Sequence, residues 1–259
     1  MKRTVHGHRL YLEIHGAAKG TPVVLLHHGL GSTAAWRHQI PALVEAGYRV
    51  IAYDRWGYGA SDPRPRLDVP EFTQDILDLA ALLDALHLPQ VVLVGHSDGG
   101  NVALGFAAAH PHRVLAVVAV AAHIYVEPKM RLGIEQIQRA YQEDPKFRRG
   151  LQRAHQGRGE AVFRLWYTAW TQPHLLRWDA RPRLRAVSCP VLVVQGTQDE
   201  HATPQHARDL AAALPHAQVA LVPGGRHMLP QEAPEAFNPL LLDFLAEQAP
   251  AARGASRKE

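Results

Sequence analysis

The sequence predicts an α/β fold, in which a mostly parallel central sheet is flanked by helices on both faces. Continuous apolar runs of strand length recur along the chain, for example at residues 22–26, 91–94 and 114–121. Between them lie stretches with the three- and four-residue apolar period of a helix, such as residues 72–86. Strands that are apolar at every position are buried on both faces, which is typical of parallel sheets covered by helices.

The individual elements follow from these patterns in chain order. Residues 9–15 alternate in polarity in the manner of a strand, and residues 4–8 are expected to pair with them through a turn around Gly7. The elements predicted next are the strand 22–26, the helix 33–46, the strand 49–54, the helix 72–86, the strand 91–94, the helix 101–110 and the strand 114–121. After a gap, the same rhythm returns with the strand 190–195, the helix 204–214, the strand 218–222 and the helix 234–248.

The gap predicts an insertion into the core. Residues 123–185 are helix-like, rich in arginine, glutamine and aromatic residues, and contain no clear strand. We therefore predict that residues 1–122 and 186–248 form the core and that residues 123–185 form a helical cap inserted after the sixth strand. Residues 249–259 are predicted to be a flexible tail.

Charge and hydrophobicity limit the kinds of partner that this protein is expected to bind. The 28 basic and 24 acidic residues give a net charge of +4, and the basic residues are scattered rather than clustered, so no nucleic-acid partner is predicted. No apolar run approaches the roughly 20 residues that cross a bilayer, and the N-terminus lacks the apolar core of a signal peptide. We expect a cytoplasmic protein with no membrane partner, either a monomer or a homodimer. Its single cysteine, Cys189, cannot form an internal disulfide.

A glycine-flanked serine is the strongest chemical signal in the chain. Residues 95–100 read Gly-His-Ser-Asp-Gly-Gly and lie between a predicted strand and a predicted helix. Glycines two positions before and two positions after a serine permit the tight strand-to-helix turn that exposes the hydroxyl of a nucleophile. The spacing therefore predicts Ser97 as the catalytic nucleophile.

A serine hydroxyl needs a base, and the base needs an orienting acid. Asp199 and His227 each follow a predicted strand and come after Ser97 in the chain, first the acid and then the histidine. Both are predicted at the carboxyl edge of the sheet with Ser97. Glu200 is an alternative acid. Three other histidines lie on or beside a predicted helix and are predicted to be surface residues: His201, His206 and His216.

The developing oxyanion of such a reaction needs two fixed N–H donors. We predict the backbone N–H groups of Asp98, at the start of a helix, and of Leu30, in a glycine-containing loop. His27 and His28 are adjacent and cannot chelate one metal ion from a regular strand, so no metal is predicted. Neither a P-loop lysine nor the G-x-G-x-x-G pattern is present, and no cofactor is predicted.

Together, these motifs resemble the α/β-hydrolase family, of the serine esterase type. The resemblance rests on residues 28–32 (His-Gly-Leu-Gly-Ser), residues 54–61, the turn at Ser97, Asp199 and residues 225–227. It implies a serine carboxylic ester hydrolase that works through an acyl-enzyme on a small-molecule ester. Residues 54–61 read as structural in such proteins. Family members that open epoxides or remove halogens carry an aspartate in place of the serine, so Ser97 argues against both activities.

Within the family, residues 97–100 and 122–126 resemble the valacyclovir hydrolase (biphenyl hydrolase-like) branch. That resemblance implies that Asp98 holds the ammonium of an α-amino acid ester. The alternative is that Asp98 favours the start of its helix and pairs with an arginine. The residues predicted to contact substrate are Asp98, His28, His123, Tyr125, Trp166 and Trp170.

Other functions remain open on the same residues. A lactonase, a carbon–carbon bond hydrolase, a perhydrolase and a hydroxynitrile lyase can all share this triad. The lyase requires a cation over the site, for which Lys129 and Lys146 are candidates. A small-ligand receptor without catalysis is the remaining alternative, because fold alone does not decide function.

Overall fold

The computed structural model describes residues 1–251. Its strands are β1 (Lys2–Val5), β2 (His8–His15), β3 (Pro22–Leu26), β4 (Arg49–Tyr53), β5 (Val91–His96), β6 (Val114–Val120), β7 (Val191–Gly196) and β8 (Ala217–Val222). Its α-helices are α1 (Gln39–Glu45), α2 (Thr73–Ala85), α3 (Asp98–Ala109), α4 (Pro128–Glu143), α5 (Pro145–Ala154), α6 (Gly159–Trp170), α7 (Arg181–Leu184), α8 (Pro204–Ala212), α9 (Leu229–Glu232) and α10 (Pro234–Gln248). Short 3-10 helices lie at Thr33–Trp36, Pro111–Arg113 and Pro173–Arg177.

The strands form one sheet in the order β1-β2-β4-β3-β5-β6-β7-β8. The pairs β1–β2 and β2–β4 are antiparallel, and every other pair is parallel, which confirms the predicted fold class. The chain leaves β3 toward β4 and then crosses back to β5 on the other side. The carboxyl ends of β3 and β5 therefore flank a switch point, where open α/β sheets bind their ligands.

Both faces of the central strands are buried, which explains their apolar runs. On one face, Val24 and Leu26 of β3 pack in a core with residues of α2, α3 and the segment between β6 and β7. On the opposite face, Val23 and Leu25 pack with Trp36 and with residues of α1 and α10. Successive side chains of a strand point to opposite faces. Because each face of β3 is covered by one of these two cores, all four side chains are fully buried.

The segment of residues 123–185 contains α4, α5, α6 and α7 and connects β6 to β7. An isolated bridge pairs Tyr125 with Asp179 near the two ends of this segment. At the C-terminus, Ala249 is buried, and Thr21 Oγ1 donates a hydrogen bond to the Pro250 carbonyl (2.9 Å). The remainder of the predicted tail, residues 252–259, lies outside the described residues. Among residues 1–251, no helix is long and apolar enough to cross a membrane.

Two local predictions differ from the structure. The predicted helix 33–46 is divided into a 3-10 turn at Thr33–Trp36 and the helix α1, and Asn238 Nδ2 donates to the His38 carbonyl (3.1 Å) at the break. The four-residue helix α9 was not predicted, because it is too short to show an apolar period.

Candidate active site

Ser97 occupies a strained turn between β5 and α3. Its φ of 54° lies in the left-handed region, which costs energy for a residue with a side chain. Steric crowding explains the flanking glycines. A Cβ on Gly95 would overlap the Gly99 carbonyl, and a Cβ on Gly99 would overlap the Leu26 carbonyl at the end of β3. The Ser97 N–H donates to the Val120 carbonyl (2.8 Å), which ties the turn to β6.

A continuous hydrogen-bonded chain joins the serine to a buried acid. His227 Nε2 lies 3.1 Å from Ser97 Oγ, and His227 Nδ1 lies 2.9 Å from Asp199 Oδ2. Asp199 and His227 stand on the loops after β7 and β8, so three carboxyl ends of the sheet supply the three side chains. Gln195 Nε2 also donates to Asp199 (2.6 Å), as does the His201 N–H (2.7 Å), which fixes the orientation of the carboxylate.

The electrostatics of this chain suit a general base. Burial by itself lowers the pKa of His227, but the adjacent Asp199 carboxylate outweighs burial, and the pKa lies above its ordinary value of 6.5. Burial by itself raises the pKa of Asp199, but His227 and the backbone N–H groups hold that pKa well below its ordinary value. Asp199 is therefore ionised at neutral pH, and it stabilises an imidazolium at His227.

Glu200, the alternative acid, does not contact the imidazole ring. Its carboxylate accepts the backbone N–H of His227 (2.9 Å) and forms an ion pair with Arg226. Glu200 thus holds the loop that carries His227, while Asp199 holds the ring itself. The two carboxylates therefore contact different parts of His227, Glu200 its backbone and Asp199 its ring.

The two predicted oxyanion donors are free of protein acceptors. Within residues 1–251, no hydrogen bond to the protein uses the N–H of Leu30 or of Asp98. Asp98 is the first residue of α3, where the helix dipole favours negative charge. The loop of Leu30 is held by His155, whose Nε2 donates to the Leu30 carbonyl (3.1 Å) and whose Nδ1 accepts the Gly59 N–H (2.9 Å). No sequence pattern pointed to His155.

Residues 54–61 support that loop from below. Asp54 accepts the N–H of Thr33 through one carboxylate oxygen and that of Ala60 through the other (both 2.7 Å). Burial raises the pKa of Asp54 to about 6. Ser61 Oγ donates to the Asp54 carbonyl (2.6 Å). These contacts join the end of β4 to the loop after β3, in agreement with the structural role expected for the motif.

Ser97 opens into a cavity of about 350 Å³ at the carboxyl edge of the sheet, which is also lined by residues of α4, α5 and α6. Five of the six predicted contact residues line it: His28, Asp98, His123, Trp166 and Trp170. Tyr125 does not, contrary to the prediction, because its hydroxyl donates to Asp209 Oδ2 (2.7 Å) on α8. Much of the lining is apolar and was not predicted: Met130, Ile134, Ile137, Ala140, Phe147, Leu151 and Met228. The apolar faces of α4 and α5 were the available signal.

The prediction that His201 and His206 are surface residues is wrong. His201 is 8% exposed and His206 is 1% exposed. The ring of His201 packs edge-on against His227 with 4.3 Å between centroids, and His206 Nε2 accepts the Ile124 N–H (3.0 Å). Burial lowers the pKa of His201 to about 3, so this ring adds no positive charge beside His227 at neutral pH.

Asp98 ends a row of alternating charges beneath the cavity. Arg64 forms ion pairs with both Asp68 and Asp75. Arg55 forms ion pairs with both Asp75 (3.1 Å) and Asp98 (3.6 Å). Asp98 is 2% exposed, and its Oδ2 has no hydrogen-bond partner within the described residues. Burial raises the pKa of Asp98 more than Arg55 lowers it. The predicted arginine partner of Asp98 is therefore Arg55. The row contains three carboxylates and only two guanidinium groups, so Asp98 shares Arg55 with Asp75.

Besides Asp98 and the histidines, the titratable side chains that line the cavity are Glu200, Arg226 and Glu232. Neither Lys129 nor Lys146 lines it, and the basic side chain that does, Arg226, is paired with Glu200. In residues 1–251, no group of three or more His, Cys, Asp or Glu side chains is placed to hold a metal ion.

Comparison with known proteins agrees with this geometry. Residues 21–179 match the family model described as alpha/beta hydrolase fold. The chain belongs to the α/β-hydrolase family. The candidate carbamate hydrolase RutD of a Caulobacter species is 32% identical over 267 residues, which cover 95% of this chain and 98% of RutD.

Two further relatives have different named activities. The 2-hydroxy-6-oxo-6-phenylhexa-2,4-dienoate hydrolase of Burkholderia cepacia is 28% identical over 263 residues, which cover 91% of each chain. The crystal structure of the esterase RhEst1 from Rhodococcus sp. ECU1013 superposes with a TM-score of 0.73 at 27% identity. That superposition covers 95% of this α/β hydrolase and 98% of RhEst1.

Proposed function

We propose that this α/β hydrolase is a serine carboxylic ester hydrolase that acts through an acyl-enzyme. The observation that carries the proposal is the hydrogen-bonded chain from Ser97 Oγ through His227 to Asp199. Its distances are those that a nucleophile, its base and the orienting acid require. The esterase named among the structural relatives supports the same reaction class.

In the proposed reaction, each step is carried out by a named group. His227 Nε2 removes the proton of Ser97 Oγ as the oxygen attacks the ester carbonyl, and the free N–H groups of Leu30 and Asp98 stabilise the oxyanion. Collapse of this intermediate breaks the bond to the alcohol oxygen, which takes its proton from His227. Water then attacks the acyl-enzyme with His227 again as base, which releases the carboxylic acid and restores Ser97.

The cavity supports small to medium esters as substrates. Its volume of about 350 Å³ and its apolar lining suit a compact acyl and alcohol group. A hydroxynitrile lyase has less support, since neither Lys129 nor Lys146 lines the cavity. Hydrolysis of p-nitrophenyl butyrate by the native chain, compared with the Ser97→Ala variant, tests the proposal. A non-catalytic receptor would release no p-nitrophenol.

The long pairing of Asp98 favours a second candidate, hydrolysis of α-amino acid esters, since its Oδ2 lies 3.6 Å from Arg55 and accepts no hydrogen bond within the described residues. Asp98 is adjacent to the nucleophile, lines the cavity and shares Arg55 with Asp75. The row of three carboxylates and two guanidinium groups carries one excess negative charge when all five are ionised. A substrate ammonium beside Asp98 would balance that charge at a site that water screens weakly.

For this candidate, we expect Asp98→Asn to be selective. The variant should lower kcat/KM for an amino-acid ester by about 10- to 100-fold, because it removes the charge that pairs with the ammonium. The matched ester without the amino group should change by less than about threefold, as its binding involves no ion pair. Steady-state kinetics on the two substrates measure the difference.

Glu232→Gln provides the comparison, since Glu232 is another carboxylate that lines the cavity. This variant should keep the native ratio between the two esters. Equal losses on both esters in Asp98→Asn would show that Asp98 acts only through its pairing with Arg55, and would remove the amino-acid ester candidate.

A further inference from the structure

A groove lies beside α4 and continues away from the active-site cavity. Its first part, of about 330 Å³, lies between α4 and the end of α6, and its second part has about 400 Å³. The two parts share four lining residues, Val126, Arg131, Glu135 and Leu176. We call this continuous depression the α4 groove.

Only a thin wall separates the α4 groove from Ser97. Met130, Ile134 and Trp170 line both the cavity that contains Ser97 and the first part of the groove. A side chain that lines two spaces forms the partition between them. Met130 is the adaptable member of this wall, since an unbranched thioether changes shape with little cost. The α4 groove therefore lies directly against the cavity, with these three side chains between the two spaces.

The far end of the groove exposes large apolar side chains. Leu132 is 58% exposed and Leu176 is 60% exposed, and both line the second part of the groove. Within the described residues, five large hydrophobic side chains are exposed, and these two share one depression. Neighbouring apolar groups at a concave surface indicate a binding site more strongly than scattered ones.

We infer that the α4 groove is a subsite for the hydrocarbon chain of a long-chain ester whose carbonyl lies at Ser97. This inference rests on the proposed ester hydrolysis and extends it to substrates longer than the cavity alone can hold. A hydrocarbon chain needs no hydrogen-bond partner, and it gains stability from each methylene that leaves water. Its path runs from Ser97, past Met130, along α4 to Leu176.

The test is the chain-length dependence of p-nitrophenyl ester hydrolysis from acetate to decanoate. For the native enzyme, we expect kcat/KM to rise by about two- to fourfold for each methylene between hexanoate and decanoate. Leu176→Glu places a charge in the groove and should lower kcat/KM for decanoate by about tenfold, with acetate unchanged within about twofold. Met130→Ala removes part of the wall between the cavity and the groove and should raise kcat/KM for decanoate.

Leu77→Glu is the matched control, because Leu77 is also exposed (46%) but lies on α2, away from the groove. This variant should leave both substrates unchanged. A native kcat/KM that falls steadily beyond butyrate, or equal effects of the two glutamate variants on decanoate, would overturn the subsite while leaving ester hydrolysis intact.

Failure of the proposed reaction is a separate result, in which the native enzyme hydrolyses no ester of any length. Calorimetric titration of the Ser97→Ala variant with 2-dodecanone and 2-hexanone then tests the subsite without catalysis. Tighter binding of the longer ketone, lost in Leu176→Glu on the same background, supports the subsite. Equal affinity for the two ketones would overturn it.

Discussion

Replacing Ser97 with alanine is expected to lower kcat for p-nitrophenyl butyrate by about 10⁴- to 10⁶-fold. The hydroxyl is the only group at the turn that can form the acyl-enzyme, so the variant retains only the contribution of the oxyanion donors and of substrate binding. Within the described residues, Ser97 Oγ has a single protein hydrogen-bond partner, His227. Folding should therefore be preserved, with the same circular dichroism spectrum and a melting temperature close to that of the native chain.

An exposed serine outside the site is the control for that substitution. Ser188 lies before β7 and is exposed, and Ser188→Ala should retain full activity and stability. Kinetics on both purified variants, with burst titration of active sites, give the comparison. If Ser97→Ala kept more than about one hundredth of the native kcat, an acyl-enzyme at Ser97 could not be the main route.

The second large effect is expected at Asp199, where Asp199→Asn should lower kcat by about 10⁴-fold. The amide cannot stabilise the imidazolium, and it can donate to His227 Nδ1 and so favour the wrong tautomer. Glu200→Gln is the matched variant one residue away. Glu200 contacts the His227 backbone and Arg226 rather than the ring, so this change should cost less than about tenfold.

The pH dependence should distinguish the two variants further. His227 must be neutral to act as the base, so kcat/KM falls as the pH drops below the pKa of His227. Asp199 holds that pKa above 6.5 in the native chain, so the acid limb of the profile should lie above pH 6.5. In Asp199→Asn, burial dominates and the limb should move to lower pH. If Asp199→Asn and Glu200→Gln lost similar amounts of kcat and had acid limbs at the same pH, the assignment of Asp199 as the orienting acid would be contradicted.

Several features of the fold were predictable because simple physical constraints act on each residue. The strand β3 is apolar throughout since Val23 and Val24 face opposite buried cores. Gly95 and Gly99 are required by steric contacts with neighbouring carbonyl groups. These constraints are local, or they repeat with the period of a strand or a helix, and a sequence displays both kinds.

The lining of the cavity was less predictable, because it depends on how separate helices pack together. The apolar faces of α4 and α5 were visible as patterns, but nothing in a pattern states which surface a helix covers. Tyr125 and His206 illustrate this limit. Tyr125 turns to Asp209 and away from the cavity, and His206 is buried although it lies on a helix with polar neighbours. Contacts between distant segments decided both positions.

The nucleophilic role of Ser97 is tested most directly by covalent labelling with a fluorophosphonate, followed by intact-mass spectrometry and peptide mapping. A serine beside a neutral base and two free oxyanion donors should react rapidly and with a stoichiometry of about one label per chain. We predict a single modified residue, Ser97, and no labelling of the Ser97→Ala variant. A native protein that stays unlabelled, or a label carried by another residue, would contradict the acyl-enzyme mechanism.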